Sequence, residues 1–274
     1  MILKKFLKKE DNMKKIFLCF TILLLSSCVS FAQKEIQIKK VVAEKKNEFM
    51  KSSISVDYPI EGEEIALKNL RKGIGMMIGE EFIGNYDNYQ DFVNFYANDY
   101  FSKLEGFASK ENPPKYQASF DIAINKIAET DKFISYERDD YIYTGGAHGL
   151  PNAFVITFDK KSGLPIESNF LKNTDDKGFK QLLKEGLEEY FVTYSENVYS
   201  LDDKDNILKF FLFEETDADN LPLPNNQPYL TEKGVGFLYV HYEIAPYSSG
   251  KPNFVIPYEK IKPYLSDEVL NLIP

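Results

Sequence analysis

The chain of 274 residues contains two histidines, and each stands beside an unusual run of residue types. His148 lies in Tyr141-Ile142-Tyr143-Thr144-Gly145-Gly146-Ala147-His148-Gly149, and His241 directly precedes Tyr242-Glu243-Ile244-Ala245-Pro246-Tyr247-Ser248-Ser249-Gly250. An imidazole among glycines has the chemistry of a general base or a metal ligand. Its competing role is a latch, the ring tying the glycine loop to the Tyr242–Tyr247 segment through hydrogen bonds. The sequence offers His148 no second catalytic partner, and the latch is favoured. His241 and Glu243 are two apart on a predicted strand and so point to one face, which is half of a metal site. Zinc takes three or four ligands, and only His148 and carboxylates remain to complete the set. No metal site is therefore expected, and His241 is assigned to an interface beside Phe237 and Tyr239. Glu243 could serve as the general acid of a sugar-cleaving pair only with a second carboxylate across a cleft. Nothing in the sequence selects one, so Glu243 is expected to bond loop amides, those around Gly145 and Gly146 being the candidates. His148 and Glu243 are thus the two residues on which any catalysis would centre, and no catalytic role is assigned to either.

Other patterns exclude more than they suggest. Asp217-Ala218-Asp219-Asn220 has the flavour of a calcium loop, but Leu221 and Pro222 interrupt the ligand alternation and no glycine follows at the turn. There is no P-loop, no G-x-S-x-G elbow, no H-E-x-x-H and no dinucleotide fingerprint, and no cofactor is called for. Tyrosines on a cleft wall can stack on sugars or meet a protein partner. Tyr141, Tyr143, Tyr242 and Tyr247 form the cluster to which both unusual segments contribute.

The elements that must position these residues follow from periodicity. Residues 36–58 read as extended. Residues 63–82 carry Leu67, Leu70, Ile74 and Met77 at helical spacing, with Gly73, Gly75 and Gly79 weakening the helix but permitting close packing. A second helix from Tyr89 to about Phe107 bears an aromatic stripe of Phe92, Tyr96, Tyr100, Leu104 and Phe107, and Pro113-Pro114 ends the pattern. Residues 115–124 alternate as a half-buried antiparallel strand. Residues 133–143 continue as strand, with a parity shift between Tyr136 and Tyr141 that suggests a bulge. Phe154, Ile156 and Phe158 mark a third strand, closed by a tight turn at Lys160-Lys161-Ser162-Gly163. Residues 176–194 form the clearest amphipathic helix, with Phe179, Leu183, Leu187, Tyr190 and Tyr194 in line and Asp175 and Asp176 at its acid-favouring start. After a polar stretch, 202–227, residues 229–231, 236–244 and 253–257 read as strands, and two short helices close the chain. Helices segregated from antiparallel strands argue an α+β fold of two intimately packed subdomains, residues 33–165 ending in the glycine loop and its following hairpin, and residues 166–274.

Residues 1–32 stand apart. Six lysines precede an apolar run of ten, Ile16 to Leu25, too short to span a bilayer, which needs about 20 residues. They read as an export signal. Leu25-Ser26-Ser27-Cys28 resembles a lipobox that would lipidate Cys28, while Ser30-Phe31-Ala32 fits ordinary cleavage before Gln33. The expected location is therefore the periplasm or the surface of an outer membrane, with membrane contact only through a lipid on Cys28. Without 1–32, the 33 basic and 42 acidic residues become 27 and 40, a net charge of −13. Such a surface repels nucleic acid and anionic lipid and suits a cationic partner. Cys19 leaves with the signal, so no disulfide framework is expected, and stability must come from a core built from about 240 residues.

The two unusual segments together resemble the signature of a bacterial envelope family, the extracytoplasmic part of RsiV-type anti-sigma factors, formed by a domain of unknown function 3298 with an N-terminal partner domain 4163. The resemblance is carried by Ser55-Val56-Asp57-Tyr58-Pro59, the Tyr143–Gly149 loop, the Asp159–Gly163 turn, Ser168-Asn169-Phe170-Leu171, the run Phe237 to Tyr247, Gly250 and Ile256-Pro257-Tyr258. It marks Tyr143, Gly145, Gly146, His148, Gly149, Tyr242, Glu243, Pro246 and Tyr247 as the motif or ligand-binding set. RsiV-like members imply lysozyme binding, and others join this module to peptidoglycan deacetylases. Neither a sigma-factor segment before the signal nor a deacetylase after Pro274 is expected. The expectation is a non-enzymatic binding or sensing module, with a cationic protein such as lysozyme, or peptidoglycan, as partner. Its rivals are a cell-wall glycan hydrolase using His148 and Glu243, and a purely structural envelope lipoprotein.

Overall fold

A computed structural model describes residues 35–108, 115–166, 170–198 and 206–273. Residues 1–34, on which the expected export signal and Cys28 fall, Pro113-Pro114, Ser168-Asn169 and residues 202–205 lie outside the described residues. Glu35–Pro274 is one compact unit.

Its first half is a five-stranded sheet in the order β1-β2-β3-β4-β5, with β1 Gln37–Lys46, β2 Met50–Glu61, β3 Ala118–Glu129, β4 Phe133–Tyr143 and β5 Leu150–Asp159. The extended stretch expected at 36–58 is a hairpin, turned at Asn47, whose side chain accepts from the N–H groups of Phe49 and Met50. Two helices, α1 Glu64–Ile78 and α2 Tyr89–Leu104, form the crossover from β2 to β3. These two strands therefore run parallel, while the other neighbours are antiparallel. The sheet is mixed where a purely antiparallel one was expected, because the helical crossover carries the chain back to the end at which β2 began, Ala118 pairing with Met50.

Both helices cover one face of this sheet. Leu70, Ile74 and Met77 of α1 and Phe92, Tyr96 and Tyr100 of α2 meet Ile54, Val56, Ile122, Ile124, Ile134, Tyr136 and Phe158. The aromatic stripe of α2 is core as far as Leu104, while Phe107, beyond the helix, is exposed. Gly73 is where α1 comes closest, since a Cβ there would lie 2.4 Å from the Phe158 ring.

The bulge expected in β4 is in β3 instead, where the register shifts between Lys126 and Ala128. Apolar parity in β4 is lost because Arg138 and Asp140 occupy the helix-facing positions after Ile134 and Tyr136. Arg138 donates to the carbonyls of Met77 (2.7 Å) and Ile78 (3.1 Å) at the end of α1, and to Asp140 Oδ1 (3.1 Å). A buried ion pair has replaced two apolar residues without any change of register.

The opposite face is covered at one end only. Strands β6 Tyr229–Leu230, β7 Gly234–Leu238 and β8 Asn253–Pro257 form a small antiparallel sheet. Tyr229 and Leu238 pack on Ala153 and Val155. Ser135 and Thr157, buried on this face, accept and donate through Leu230: the Ser135 hydroxyl donates to its carbonyl (2.7 Å) and its N–H donates to Thr157 Oγ1 (2.9 Å). Helix α3, Lys177–Val198, covers the outer side of the small sheet, joining Phe179, Leu183, Leu187 and Phe191 to Val235, Phe237, Phe254 and Ile256 in the other large core cluster. Asp176 caps α3 as its acidity suggested, accepting from Gly178 N–H (2.8 Å) and Phe179 N–H (3.4 Å). The polar stretch contributes a short helix, α4 Ile207–Phe211, and α5 Tyr258–Ile261 and α6 Asp267–Leu270 close the chain. The segregated helices and sheets make an α+β molecule.

Candidate functional site

The glycine loop joins β4 to β5. Gly145 and Gly146 stand at φ 118° and 94°, conformations that L side chains rarely adopt, so the loop turns there without strain. Tyr143 donates its hydroxyl to the Gly146 carbonyl (3.1 Å). Gly149 has a different reason to lack a side chain: a Cβ would lie 2.3 Å from the Tyr141 ring. Its N–H donates to the Tyr141 hydroxyl (2.9 Å). His148 is exposed, and its Nδ1 pairs with the Gly149 carbonyl (2.8 Å).

The second segment does not continue a strand. β7 ends at Leu238, and residues 241–245 form a turn and bend in which Tyr242 takes a φ of 65°. The turn is closed by Glu243, whose Oε2 accepts from Val240 N–H (2.8 Å) and whose Oε1 accepts from Asn225 N–H (2.5 Å). His241 and Glu243 therefore do not share a strand face, since the predicted strand to Ile244 ends at Leu238. The carboxylate does bond loop amides, but those of Val240 and Asn225 and not those around Gly145 and Gly146. Pro246 then leads into a single 3₁₀ turn, Tyr247–Ser249. Helix α3 holds that turn through the Tyr194 hydroxyl, which donates to the Ser248 carbonyl (2.7 Å). The Ser249 hydroxyl donates to the Phe211 carbonyl (3.1 Å). Phe237 and Tyr239, placed at an interface with His241 by the sequence, are fully buried core residues.

The two segments meet at Tyr247. Its ring is stacked by His148 (centroids 4.6 Å, 26° between planes) and by His241 (4.7 Å, 27°), and Tyr242 tilts against it at 5.8 Å. The latch expected of His148 is thus made by ring stacking, while its hydrogen bond stays within its own loop. His241 is half-buried. Its Nδ1 is buried and has no hydrogen-bond partner among the described residues. Burial pushes the imidazole below the usual histidine range, Lys251 pushes it further, and Asp139 opposes them. Among the described residues no group of three or more His, Cys, Asp or Glu is arranged to hold a metal ion.

Beside this stack lies the uncovered end of the large sheet. It forms an open groove of about 390 Å³, lined by Ser53 and Ser55 of β2, Asp121 and Ala123 of β3, Asp139 and Tyr141 of β4, and Lys251. The register explains the floor: Ser53 and Asp121 are partners, as are Ser55 and Ala123, so small side chains sit side by side. Two ion pairs flank it, Lys251 Nζ with Asp139 Oδ1 (2.5 Å) and Lys51 Nζ with Asp121 Oδ1 (3.0 Å). Tyr141 links groove and loop, one side of its ring against Gly149 and more than a third of its surface exposed. Tyr242 is half exposed. Of the expected set, Tyr143, Gly145, Gly146, His148 and Gly149 build one loop, and Tyr242, Glu243, Pro246 and Tyr247 build the turn that meets it. Ser53, Ser55, Asp121, Asp139 and Lys251 were not singled out by sequence. Their one local signal is the small and polar alternation of β2 and β3, which names a face only once the strands are paired.

No curated protein sequence matches the chain. Solved structures share its fold, two of them from the DUF3298 family. One is a DUF3298 family member from Bacteroides fragilis, 18% identical, with a TM-score of 0.62, covering 86% of this chain and 96% of its own. The other is a DUF3298 family protein from Pseudomonas aeruginosa, also 18% identical, with a TM-score of 0.58, covering 88% of this chain and 97% of its own. Residues 170–259, which include α3, the small sheet and the whole Tyr242–Gly250 segment, match the family model described as a protein of unknown function, DUF3298.

Proposed function

We propose that this protein is a non-enzymatic binding or sensing module of the bacterial envelope, and that its ligand is taken at the open groove beside Tyr141 and Lys251. One observation carries the reading. The polar groups that could do chemistry are engaged in architecture, with Glu243 on two backbone amides and both histidines on Tyr247, while the adjoining sheet face is left open. Fixed, satisfied loops around an accessible polar groove suit recognition. A general acid must reach a substrate oxygen, whereas both oxygens of Glu243 are taken up by backbone N–H groups. The acidic balance of residues 33–274 supports a cationic partner. The RsiV-type resemblance supports a lysozyme-like protein as the first choice and peptidoglycan as the second, in an exported chain tethered by Cys28 or released before Gln33.

Calorimetric titration of the chain from Gln33 onward with a c-type lysozyme, at two salt concentrations, tests this. Binding near micromolar, about −8 kcal/mol, that survives moderate salt and weakens in Tyr141→Ala is the expected result. Heat that disappears with salt would reduce the interaction to general charge attraction. No heat with lysozyme or with peptidoglycan fragments would contradict the reading.

A further inference from the structure

The ring stack at Tyr247 has an unusual composition. Both histidines of the chain, from segments roughly one hundred positions apart in sequence, lie on one tyrosine. Three further contacts anchor the partners separately. Tyr194 and Ser249 tie the Tyr247 turn to α3 and α4, and Tyr141 ties the glycine loop to β4. Of the contacts described, the stack and the Lys251–Asp139 ion pair join one assembly to the other at this point. One member of the stack, His241, keeps Nδ1 buried with no partner among the described residues.

We propose that the His148–Tyr247–His241 stack is an acid-sensitive clasp, in which protonation of His241 loosens the Tyr247 turn from the glycine loop. A neutral imidazole can leave Nδ1 as a bare lone pair. The imidazolium carries N–H at both nitrogens, which would place a donor in a buried position with no acceptor. The charged groups acting on the ring are Lys251, ahead of β8, and Asp139, on β4, and they are already paired with each other at 2.5 Å. The Asp139 carboxylate is therefore partly neutralised toward a new cation, and Lys251 repels it. Glu243, two positions along, turns its carboxylate to Val240 and Asn225. Stacking the His241 imidazolium on Tyr247 would gain some cation–π attraction, against which stands the cost of burying its charge.

The direction follows from linkage. The folded state holds a proton at His241 less tightly than the free side chain, whose ordinary value is 6.5. The open state therefore binds more protons in acid. The clasp is fully closed above that range and weakens as pH falls below it, until the folded ring itself titrates. The proposal stands on the stack alone and is independent of what the groove binds.

Two measurements on the chain from Gln33 onward test it. Amide exchange, corrected for its intrinsic pH dependence, should show protection in residues 141–149 and 242–250 falling several-fold between pH 7.5 and pH 5. The β1–β2 hairpin should stay unchanged, which separates local opening from unfolding. His241→Phe keeps an aromatic face on Tyr247 and cannot take a proton, so it should abolish the fall. In the wild-type chain, an imidazole NMR titration should give His241 a midpoint below its ordinary value of 6.5. Protection that does not respond to pH, an equal fall in His241→Phe, or a His241 midpoint at or above 6.5 would overturn the proposal.

Discussion

Glu243 is the residue on which a hydrolytic role would turn, and both of its oxygens accept backbone N–H groups. Hydrogen bonds to a charged acceptor are worth roughly 1.5–3 kcal/mol each. Glu243→Gln keeps the shape but aims an amide NH₂ at one of those donors. It should lower stability by about 1–3 kcal/mol in urea denaturation. A variant as stable as the parent would show the two contacts to be incidental. At this scale the sequence was partly legible. Glycine density announced a turning loop, and Gly145 and Gly146 provide it. The partner amides of Glu243 were illegible, because Asn225 lies in a stretch whose local pattern says only loop. His241 was misplaced for a related reason: the apolar run Val235 to Val240 looks like a strand continuing to Ile244, and nothing local reveals that Tyr242 turns back.

Among the elements, β4 shows most clearly how packing overrides pattern. Its inward positions run Ile134, Tyr136, Arg138, Asp140, and Arg138, paired with Asp140, caps α1 from the sheet side. Burial pushes the Asp140 carboxyl above its ordinary value of 3.8, Arg138 opposes the rise, and Asp139 adds to it. With the folded value raised, the folded state holds the proton more tightly, so the contribution to stability is largest below the unfolded value and is lost as pH rises through the folded one. At neutral pH the ionised group costs stability, and Arg138 offsets that cost. Arg138→Met should therefore destabilise by about 3–5 kcal/mol at pH 7, the usual effect of stranding one member of a buried pair. It should do so distinctly less at pH 4, where Asp140 shares its charge with a proton. Equal losses at both pH values, in parallel denaturation curves, would mean that Arg138 acts through packing alone. Helix α1 was legible from Leu70, Ile74 and Met77, α2 from its aromatic stripe, and α3 from Phe179, Leu183 and Leu187, since each apolar face has one large partner. The parallel β2–β3 pairing was not, because nothing in either strand records the two helices that separate them.

At the scale of the whole molecule, the large sheet has one face sealed by two helices and the other only half covered by the small sheet. The groove is the remainder. Its lining comes from β2, β3, β4 and the turn before β8, residues spread from Ser53 to Lys251, which is why no local motif disclosed it. The glycine loop and the Tyr247 turn stand at its margin, holding the small sheet and its helix in place beside the open face. The account rests on these two segments acting as one unit, and a double-mutant cycle between His148 and Tyr247 measures that unit directly. His148→Ala, Tyr247→Ala and the double variant would be compared by urea denaturation at pH 7.5. A coupling of about 0.5–1.5 kcal/mol, the usual worth of a stacked aromatic pair, is the predicted result. Strict additivity of the two single effects would contradict it and leave the two motifs as independent loops.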